Sequence, residues 1–333
     1  MRAFRYARTT DPGEAGTLVA GEPDAVYLGG GTNLVDLMKL GVVRPGLVVD
    51  VSRLPYDRIE HRPDGSVLIG GAVRNGRVPH DRGIRRRYPA LARAVLSGGS
   101  GQIRSQATVA GNLLQRTRCP YFQNTGTACN KREPGSGCSA IPGAHRDLGV
   151  IGTSDACVAT NPSDLAVALS AYDAVVEVRR PDGIERLVPI DDLHRLPGDT
   201  PWIETVLEPG DLVTGVQLPP PPDGAVATYR KVRDRWSFAF ATVSVAAVLR
   251  LRAGGRIDEV RLALGGVAPK PWRLRSTERT LAGTDPGDDD VRAATRGAFA
   301  DARPLPENAF KVDLAADLVA AVLRDLRRAG ASG

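Results

Sequence analysis

The period of the apolar positions changes within a short stretch near the start of the chain. In "DAVYLGGGTNLVDLMKLG" an apolar run at 26–28 meets three glycines, and Leu34, Leu37 and Met38 then follow the i, i+3, i+4 spacing of a buried helical face. A second apolar run occupies 47–51. The pattern predicts a strand, a glycine turn, a helix and a second strand, which together make a compact βαβ-like unit.

Short apolar runs then alternate with glycine and serine clusters between 66 and 113. This stretch predicts short strands joined by turns, with a helix at 88–96 as the only helix among them. Further along, "PSDLAVALSAYDAVVEVRR" predicts a capped helix followed by a strand, and the proline run after Gln217 predicts a domain linker. A second α+β lobe is therefore expected.

The remainder of the chain predicts a third unit. An apolar run at 238–251 and the alternating Val260, Leu262 and Leu264 indicate strands on either side of a Gly-Gly turn at 254–255. The closing segment places four apolar residues on one helical stripe. They are Leu314, Leu318, Val322 and Leu326.

Length and composition indicate a globular protein of two or three domains, with 333 residues and 42% hydrophobic content. Its formal net charge of +6 is a mild excess, and the run Arg85, Arg86, Arg87 has no interleaved aromatic residues, so we expect no nucleic-acid binding. The N-terminus lacks the apolar core of a signal peptide, and no apolar run is long enough to span a bilayer. We expect a cytoplasmic protein without membrane contact, or a periplasmic one if a partner carries an export signal.

All four cysteines fall in the segment 115–162, which is poor in apolar periodicity and needs another source of order. Their spacing, C-x9-C-x8-C-x18-C, matches neither the C-x2-C pairs of structural zinc sites nor a ferredoxin run. From the residues alone, an iron–sulfur cluster, a tetrahedral zinc site and free or disulfide-linked thiols all remain open. His145, in the same segment, is interpreted as a polar loop residue.

Two glycine-rich turns are candidate ligand sites. "LGGGTNL" at 28–34 could present backbone N–H groups to a phosphate, although Gly29, Gly31 and Asp50 also fit part of a dinucleotide-binding fingerprint, and a turn without a ligand is a third reading. "SGGSGQIRSQATVAGNL" at 97–113 could supply further donors or be turns alone. In "PSDL", Ser163 or Asp164 could cap the following helix, or Asp164 could be a ligand group.

Four segments in order, "YLGGGTNLVDLMKLG", "QIRSQATVAGNLLQRTRCPYF", "NPSDLAVALSAYDA" and "ALGGVAPKPWR", resemble the FAD-binding subunit of the molybdenum hydroxylases, the xanthine dehydrogenase and aldehyde oxidoreductase family. The resemblance spans nearly the whole chain. It implies an α+β fold in which a two-lobed FAD-binding domain, similar to that of the vanillyl-alcohol oxidase flavoproteins, precedes a smaller α/β C-terminal domain. We assign lobe 1 to 1–56, lobe 2 to 57–220 and the C-terminal domain to 226–330.

The resemblance also implies an FAD site. In the family the first glycine turn wraps the pyrophosphate, the "TVAGN" segment completes the phosphate and ribitol site, an aspartate contacts the flavin ring, and an apolar residue and a lysine lie on the cofactor. Carried over residue by residue, the predicted cofactor-binding set is Leu28, Gly29, Gly30, Gly31, Thr32, Asn33, Leu34, Thr108, Gly111, Asn112, Asp164, Val213 and Lys231.

A long segment separates Asn112 from Asp164, whereas the corresponding positions in xanthine dehydrogenases lie close together. This insertion, about 115–160, is similar to one in bacterial aldehyde oxidoreductase FAD subunits and hydroxybenzoyl-coenzyme A reductases. There four cysteines bind a [4Fe-4S] cluster. The predicted ligands here are Cys119, Cys129, Cys138 and Cys157.

The function implied by the resemblance is that of an oxidoreductase subunit in a heterotrimer. A large molybdopterin-binding subunit would oxidise an aldehyde or heterocycle, and a small [2Fe-2S] subunit would pass electrons to the FAD in this chain and on to an external acceptor. No catalytic residue is assigned here. The alternatives are a stand-alone FAD oxidase or dehydrogenase and a zinc-stabilised assembly or scaffold protein.

Overall fold

The computed structural model describes residues 1–330. Its first lobe is a three-stranded parallel sheet with two helices. The sheet order is β1-β3-β2, so the predicted βαβ unit is confirmed and a further strand pairs beside it. Leu37 and Met38 face inward from α2, as the helical spacing predicts. In chain order the elements are β1 (Arg5–Arg8), α1 (Pro12–Ala20), β2 (Ala25–Leu28), α2 (Leu34–Lys39) and β3 (Leu47–Asp50).

The second lobe is built on a five-stranded antiparallel sheet with the order β4-β5-β8-β6-β7. The predicted helix and strand after "PSDL" are confirmed as α8 and β6. The elements are β4 (Ile59–His61), β5 (Val67–Gly70), a 3₁₀ helix (Asn75–His80), α3 (Arg82–Arg87), α4 (Pro89–Ser97), α5 (Gly101–Gln106), α6 (Val109–Leu113), α7 (Pro120–Gln123), α8 (Asp164–Ala171), β6 (Val175–Arg179), β7 (Glu185–Pro189), α9 (Ile190–Leu193) and β8 (Leu212–Leu218).

The prediction of a single helix between 66 and 113 was wrong. Besides α4 this stretch contains the 3₁₀ helix and α3, α5 and α6. The side chains of Ser100 and Thr108 accept the backbone N–H of Ile103 and Gly111, which starts α5 and α6. Helices of one or two turns leave almost no apolar period to detect, and α5 buries none of its residues.

The third unit is a four-stranded antiparallel sheet in the order β12-β11-β10-β9, covered by three helices. On the long C-terminal helix Leu318, Val322 and Leu326 are buried and Leu314 is half-buried, as predicted. The elements are β9 (Val226–Val232), β10 (Val243–Leu251), β11 (Ile257–Gly265), β12 (Trp272–Arg273), α10 (Arg275–Leu281), α11 (Asp288–Gly297) and α12 (Phe310–Gly330).

A continuous hydrophobic core joins the second lobe to the third unit. It runs from the residues of α4 and α8 to Tyr229, Ala246 and Ala263 of the C-terminal sheet. The architecture is of the predicted α+β class, and each sheet lies within one of the three predicted units, whose boundaries stay predictions. Among residues 1–330, none of the helices has the length and apolar character that crossing a bilayer requires.

Candidate functional site

Two adjoining cavities lie where the three units meet, and together we call them the interlobe groove. The first, about 300 Å³, is lined by the glycine turn, Thr108 and Val213. The second, about 420 Å³, is lined by Asn112, Asp164 and Lys231. Three of the predicted residues line both cavities and so mark where they join. They are Thr32, Asn33 and Gly111.

The glycine turn packs against the backbone between α5 and α6. A Cβ atom on Gly30 would lie 2.1 Å from the carbonyl oxygen of Gln106, and one on Gly29 would lie 2.7 Å from Oγ1 of Thr108. Gly31 has a φ of 75°, which side chains rarely adopt. The close approach of two protein segments therefore explains part of the need for glycine in this turn, independently of any bound anion.

Two buried amide groups in the wall of the groove have unmet hydrogen-bonding capacity. Within residues 1–330, Nδ2 of Asn33 and Oδ1 of Asn75 have no hydrogen-bond partner. Oδ1 of Asn33 accepts the backbone N–H of Arg116 at 2.9 Å, which fixes that side chain. A buried polar group without a partner is costly, so the wall fits a polar ligand that supplies one acceptor and one donor. Asn75, the first residue of the 3₁₀ helix, was missed from the sequence because a lone asparagine carries no pattern.

Asp164 is not the helix cap. The cap of α8 is Ser163, whose hydroxyl oxygen accepts the backbone N–H of Ala166 at 3.0 Å. The carboxylate of Asp164 instead lies 2.7 Å from Nζ of Lys231 and 2.5 Å from the hydroxyl of Tyr229. The side chain of Lys231 is buried, with 4% of it exposed.

The remaining predicted cofactor residues are divided between the cavities. Val213 is buried in the wall of the first cavity, away from Asp164 and Lys231, which line the second. Leu28 lies half-buried at the end of β2 and does not line the groove. Sequence reasoning missed most of the residues that line the second cavity, including two aromatic residues in the loop after β9. Among the missed residues are Asn75, Arg104, Arg118, Phe238 and Phe240.

All four cysteines surround one small cavity of about 10 Å³, together with Phe122 and Val158. Cys138 is half-buried and the other three are buried, and all four are free thiols. Burial raises the pKa of Cys119 to about 11. Burial also raises the pKa of Cys157, against the opposing charge of Lys131. Without a metal, Cys119 and Cys157 keep their protons. Three of the cysteines belong to a small hydrophobic cluster, and Cys138 packs against it.

The chemistry of this donor set fits a metal centre, since four clustered thiols are the ligands that iron–sulfur clusters and structural zinc take. The geometry in the described part of the chain is not that of a formed single-ion site, because no group of three or more His, Cys, Asp or Glu side chains there could hold a metal ion. His145 is a polar loop residue, as predicted. Its Nδ1 bonds to the carbonyl of Gly143 at 2.6 Å, and its Nε2 accepts the N–H of Glu307.

A third cavity of about 360 Å³ lies between the cysteines and the interlobe groove. Lys131 lines both this cavity and the cysteine cavity, while Arg116 lines this cavity and the first groove cavity. Glu204 joins them, at 3.3 Å from Lys131 and 2.5 Å from Arg116. Burial alone would raise the pKa of Glu204, but these two cations outweigh it and lower the pKa. A charged network thus connects the cysteine segment to the groove wall.

Comparison with known families defines the class of protein that this fold and groove represent. Residues 2–221 match the FAD binding domain in molybdopterin dehydrogenase, and residues 227–326 match the CO dehydrogenase flavoprotein C-terminal domain. The protein is an FAD-binding oxidoreductase subunit. The chain belongs to the FAD-binding medium subunits of the molybdenum hydroxylase family, which confirms the predicted family.

Individual relatives match this chain over most or nearly all of its length. The chain is 48% identical to the aldehyde oxidoreductase FAD-binding subunit PaoB of Escherichia coli K12, over 98% of this chain and 99% of the relative. It is 27% identical to the putative xanthine dehydrogenase FAD-binding subunit XdhB of the same strain, over 90% and 86%. A chain of carbon monoxide dehydrogenase from Hydrogenophaga pseudoflava has the same fold, with a TM-score of 0.76, 24% identity, and coverage of 99% and 98%.

Proposed function

We propose that this chain is the electron-output subunit of a molybdenum-dependent aldehyde oxidoreductase complex. The 48% identity to an aldehyde oxidoreductase FAD-binding subunit over nearly the whole of both chains carries the proposal. Bound FAD would accept electrons one at a time and release two together. In this proposal electrons from a [2Fe-2S] partner pass through the chain to an external acceptor, and the substrate is oxidised on another subunit.

The interlobe groove would hold FAD through the residues predicted from the sequence, apart from Leu28, which lies outside the groove lining. The unpartnered Nδ2 of Asn33 and Oδ1 of Asn75 add a donor and an acceptor to that set. The role of this wall is binding and orientation. We assign no general acid or base to the chain.

We further propose that Cys119, Cys129, Cys138 and Cys157 bind a [4Fe-4S] cluster. The supporting observation is that four cysteines, with 8 to 18 residues between neighbours, surround one cavity in a segment whose described residues form only one short helix. Metal binding would deprotonate the thiols and give this segment order that its few apolar residues cannot supply. Tetrahedral zinc on the same thiols is the competing occupant.

The proposed partners are a large molybdopterin-binding subunit and a small [2Fe-2S] subunit in a heterotrimer. Several relatives are named as medium chains or medium subunits, among them the glyceraldehyde dehydrogenase medium chain of Sulfolobus acidocaldarius, and such names imply a larger and a smaller companion. We place the complex in the cytoplasm, or in the periplasm if a partner is exported.

The test is an anaerobic purification of the chain with its partner subunits, followed by an iron, zinc and flavin count. We expect one FAD and about four irons per chain. Cys157→Ser should lose the iron and retain FAD, whereas the control Ser154→Ala, at the residue bridged to Cys157, should retain both. Zinc in place of iron would overturn the cluster proposal, and an absence of flavin would overturn the proposed function. Bleaching of the flavin by an aldehyde without partners would instead indicate a stand-alone oxidase.

A further inference from the structure

Three buried polar groups from two domains meet at the wall of the second cavity. Asp164 is the first residue of α8 in the FAD-binding domain, while Tyr229 and Lys231 lie on β9 of the C-terminal domain. The Tyr229 hydroxyl donates to Oδ1 of Asp164 at 2.5 Å, and Lys231 Nζ donates to Oδ2 at 2.7 Å. Each carboxylate oxygen therefore has a fixed donor.

The strand places both donors on one face. Tyr229 and Lys231 are two residues apart on β9, opposite Ala246 and Ser244 of β10, so their side chains point to the same side of the sheet. Lys231 lines the second cavity together with Asp164, whereas Tyr229 does not. Tyr229 belongs to the large core that joins the two domains. Its hydroxyl is connected to the cavity through its hydrogen bond to Asp164.

The charges define what Tyr229 contributes. Burial, reinforced by the neighbouring Asp164, holds the pKa of Tyr229 well above its ordinary value, so the hydroxyl keeps its proton and stays a donor. Each carboxylate oxygen has two acceptor positions, and with one used by Lys231 or Tyr229 the other remains for a group in the cavity. The two donors disperse the negative charge of the carboxylate and fix the orientation of the carboxylate plane.

We propose that Tyr229 is a positioning residue that fixes the orientation and charge of Asp164 and thereby sets the reduction potential of the FAD in the interlobe groove. This inference rests on the proposed function, in which FAD occupies that groove beside Asp164. It gives the C-terminal domain a role in tuning the cofactor, because Tyr229 and Lys231 both come from its edge strand β9.

The test is the midpoint potential of the bound flavin, measured in the intact complex by spectroelectrochemistry. In Tyr229→Phe the Asp164 charge is less dispersed, which disfavours added electrons, so the potential should fall. We expect at least a threefold shift in the ratio of oxidised to reduced flavin, about 14 mV for a two-electron couple in which tenfold is 29.6 mV. Tyr172→Phe is the matched control, since this buried hydroxyl accepts the N–H of Ala90 and does not line the groove.

A double-mutant cycle separates positioning from general packing. If Tyr229 acts through Asp164, Tyr229→Phe should shift the potential by less than half as much in an Asp164→Asn background. An equal shift in both backgrounds, or equal shifts in Tyr229→Phe and Tyr172→Phe, would overturn the proposal.

A second variant covers the case in which Tyr229→Phe does not fold. Difluorotyrosine at position 229 keeps the ring and the hydroxyl but is a stronger donor, so the potential should rise, and an unchanged potential would refute the inference. A complex without FAD in the wild-type chain would instead contradict the proposed function, which keeps the two failures distinct.

Discussion

The interlobe groove and the cysteine segment (115–162) are ordered by different means. Regular elements of all three units build the groove, and its glycine turn makes contact with protein backbone at Gly30. Within the cysteine segment the described structure has one short helix, and order comes from individual bonds such as those from Arg132 to the carbonyls of Tyr121 and Phe122. The contacts that shape the groove come from regular elements, while in the proposed function the cysteine segment also takes order from the metal that its thiols bind.

The two regions nevertheless share a wall. Leu37 of α2 lines the first cavity of the groove and also packs in the hydrophobic cluster with Cys119, Cys129 and Cys157. The helix that follows the glycine turn therefore contributes a side chain to both regions. Changes that loosen one region without affecting the other are the sharpest way to test the comparison.

The largest expected effect follows from Gly30→Ala. A Cβ there would meet backbone atoms of Gln106 and Ala107, which cannot move aside without separating the turn from α6. We expect the variant to be less stable by about 2–3 kcal/mol and to contain less bound FAD. Gly101→Ala is the control, because a Cβ at Gly101 meets no atom within 4 Å, and its stability should stay within about 0.5 kcal/mol. Chemical denaturation and flavin content check both, and a stable, flavin-loaded Gly30→Ala protein would show that the groove is not set by this contact.

Removal of the proposed metal by a chelator should loosen the cysteine segment alone. Its core is small and contains three of the thiols, so hydrogen-exchange protection between 119 and 157 should fall at least tenfold, about 1.4 kcal/mol. Protection of the buried strand β3 should not change. Uniform loss across the chain, or no loss in the segment, would contradict the idea that the two regions are ordered independently.

Two neighbouring helix caps provide a smaller test. Thr108→Ala and Ser100→Ala each remove a cap from a short helix and should each cost about 1 kcal/mol. Only Thr108 lines the groove and touches Gly29, so only its variant should also weaken FAD binding, as measured by flavin titration of the purified protein. Equal FAD affinity in the two variants would remove Thr108 from the proposed site.

The smallest effect is expected at the surface. Arg146 of the cysteine segment makes a two-point ion pair with Asp234 in the loop after β9, at 2.9 and 3.0 Å, but both side chains are about half exposed. Arg146→Ala should therefore lower the stability by about 0.5 kcal/mol or less, and this difference from the wild-type chain should disappear at high salt. A double-mutant cycle with Asp234→Asn measures the pair, and a coupling above about 1 kcal/mol would show that it anchors the segment.

The sequence was most informative where a local pattern was long enough to repeat. The spacing of Leu37 and Met38 predicted α2, and Leu318, Val322 and Leu326 predicted the buried face of α12. The same reasoning failed for α5 and α6. Their starts are fixed by the hydroxyls of Ser100 and Thr108, which look like ordinary turn residues in the sequence.

The sequence by itself determined the family, the longer patterned elements such as α2 and α12, and nearly every groove residue that the resemblance named, because each depends on a pattern of neighbours in the chain. Only the tertiary structure decided that Ser163 and not Asp164 caps α8, and that Tyr229 and Lys231 hold the Asp164 carboxylate. The same holds for the unpartnered groups of Asn33 and Asn75. Burial and hydrogen bonding between distant segments are set by packing of the domains, and no local period encodes them.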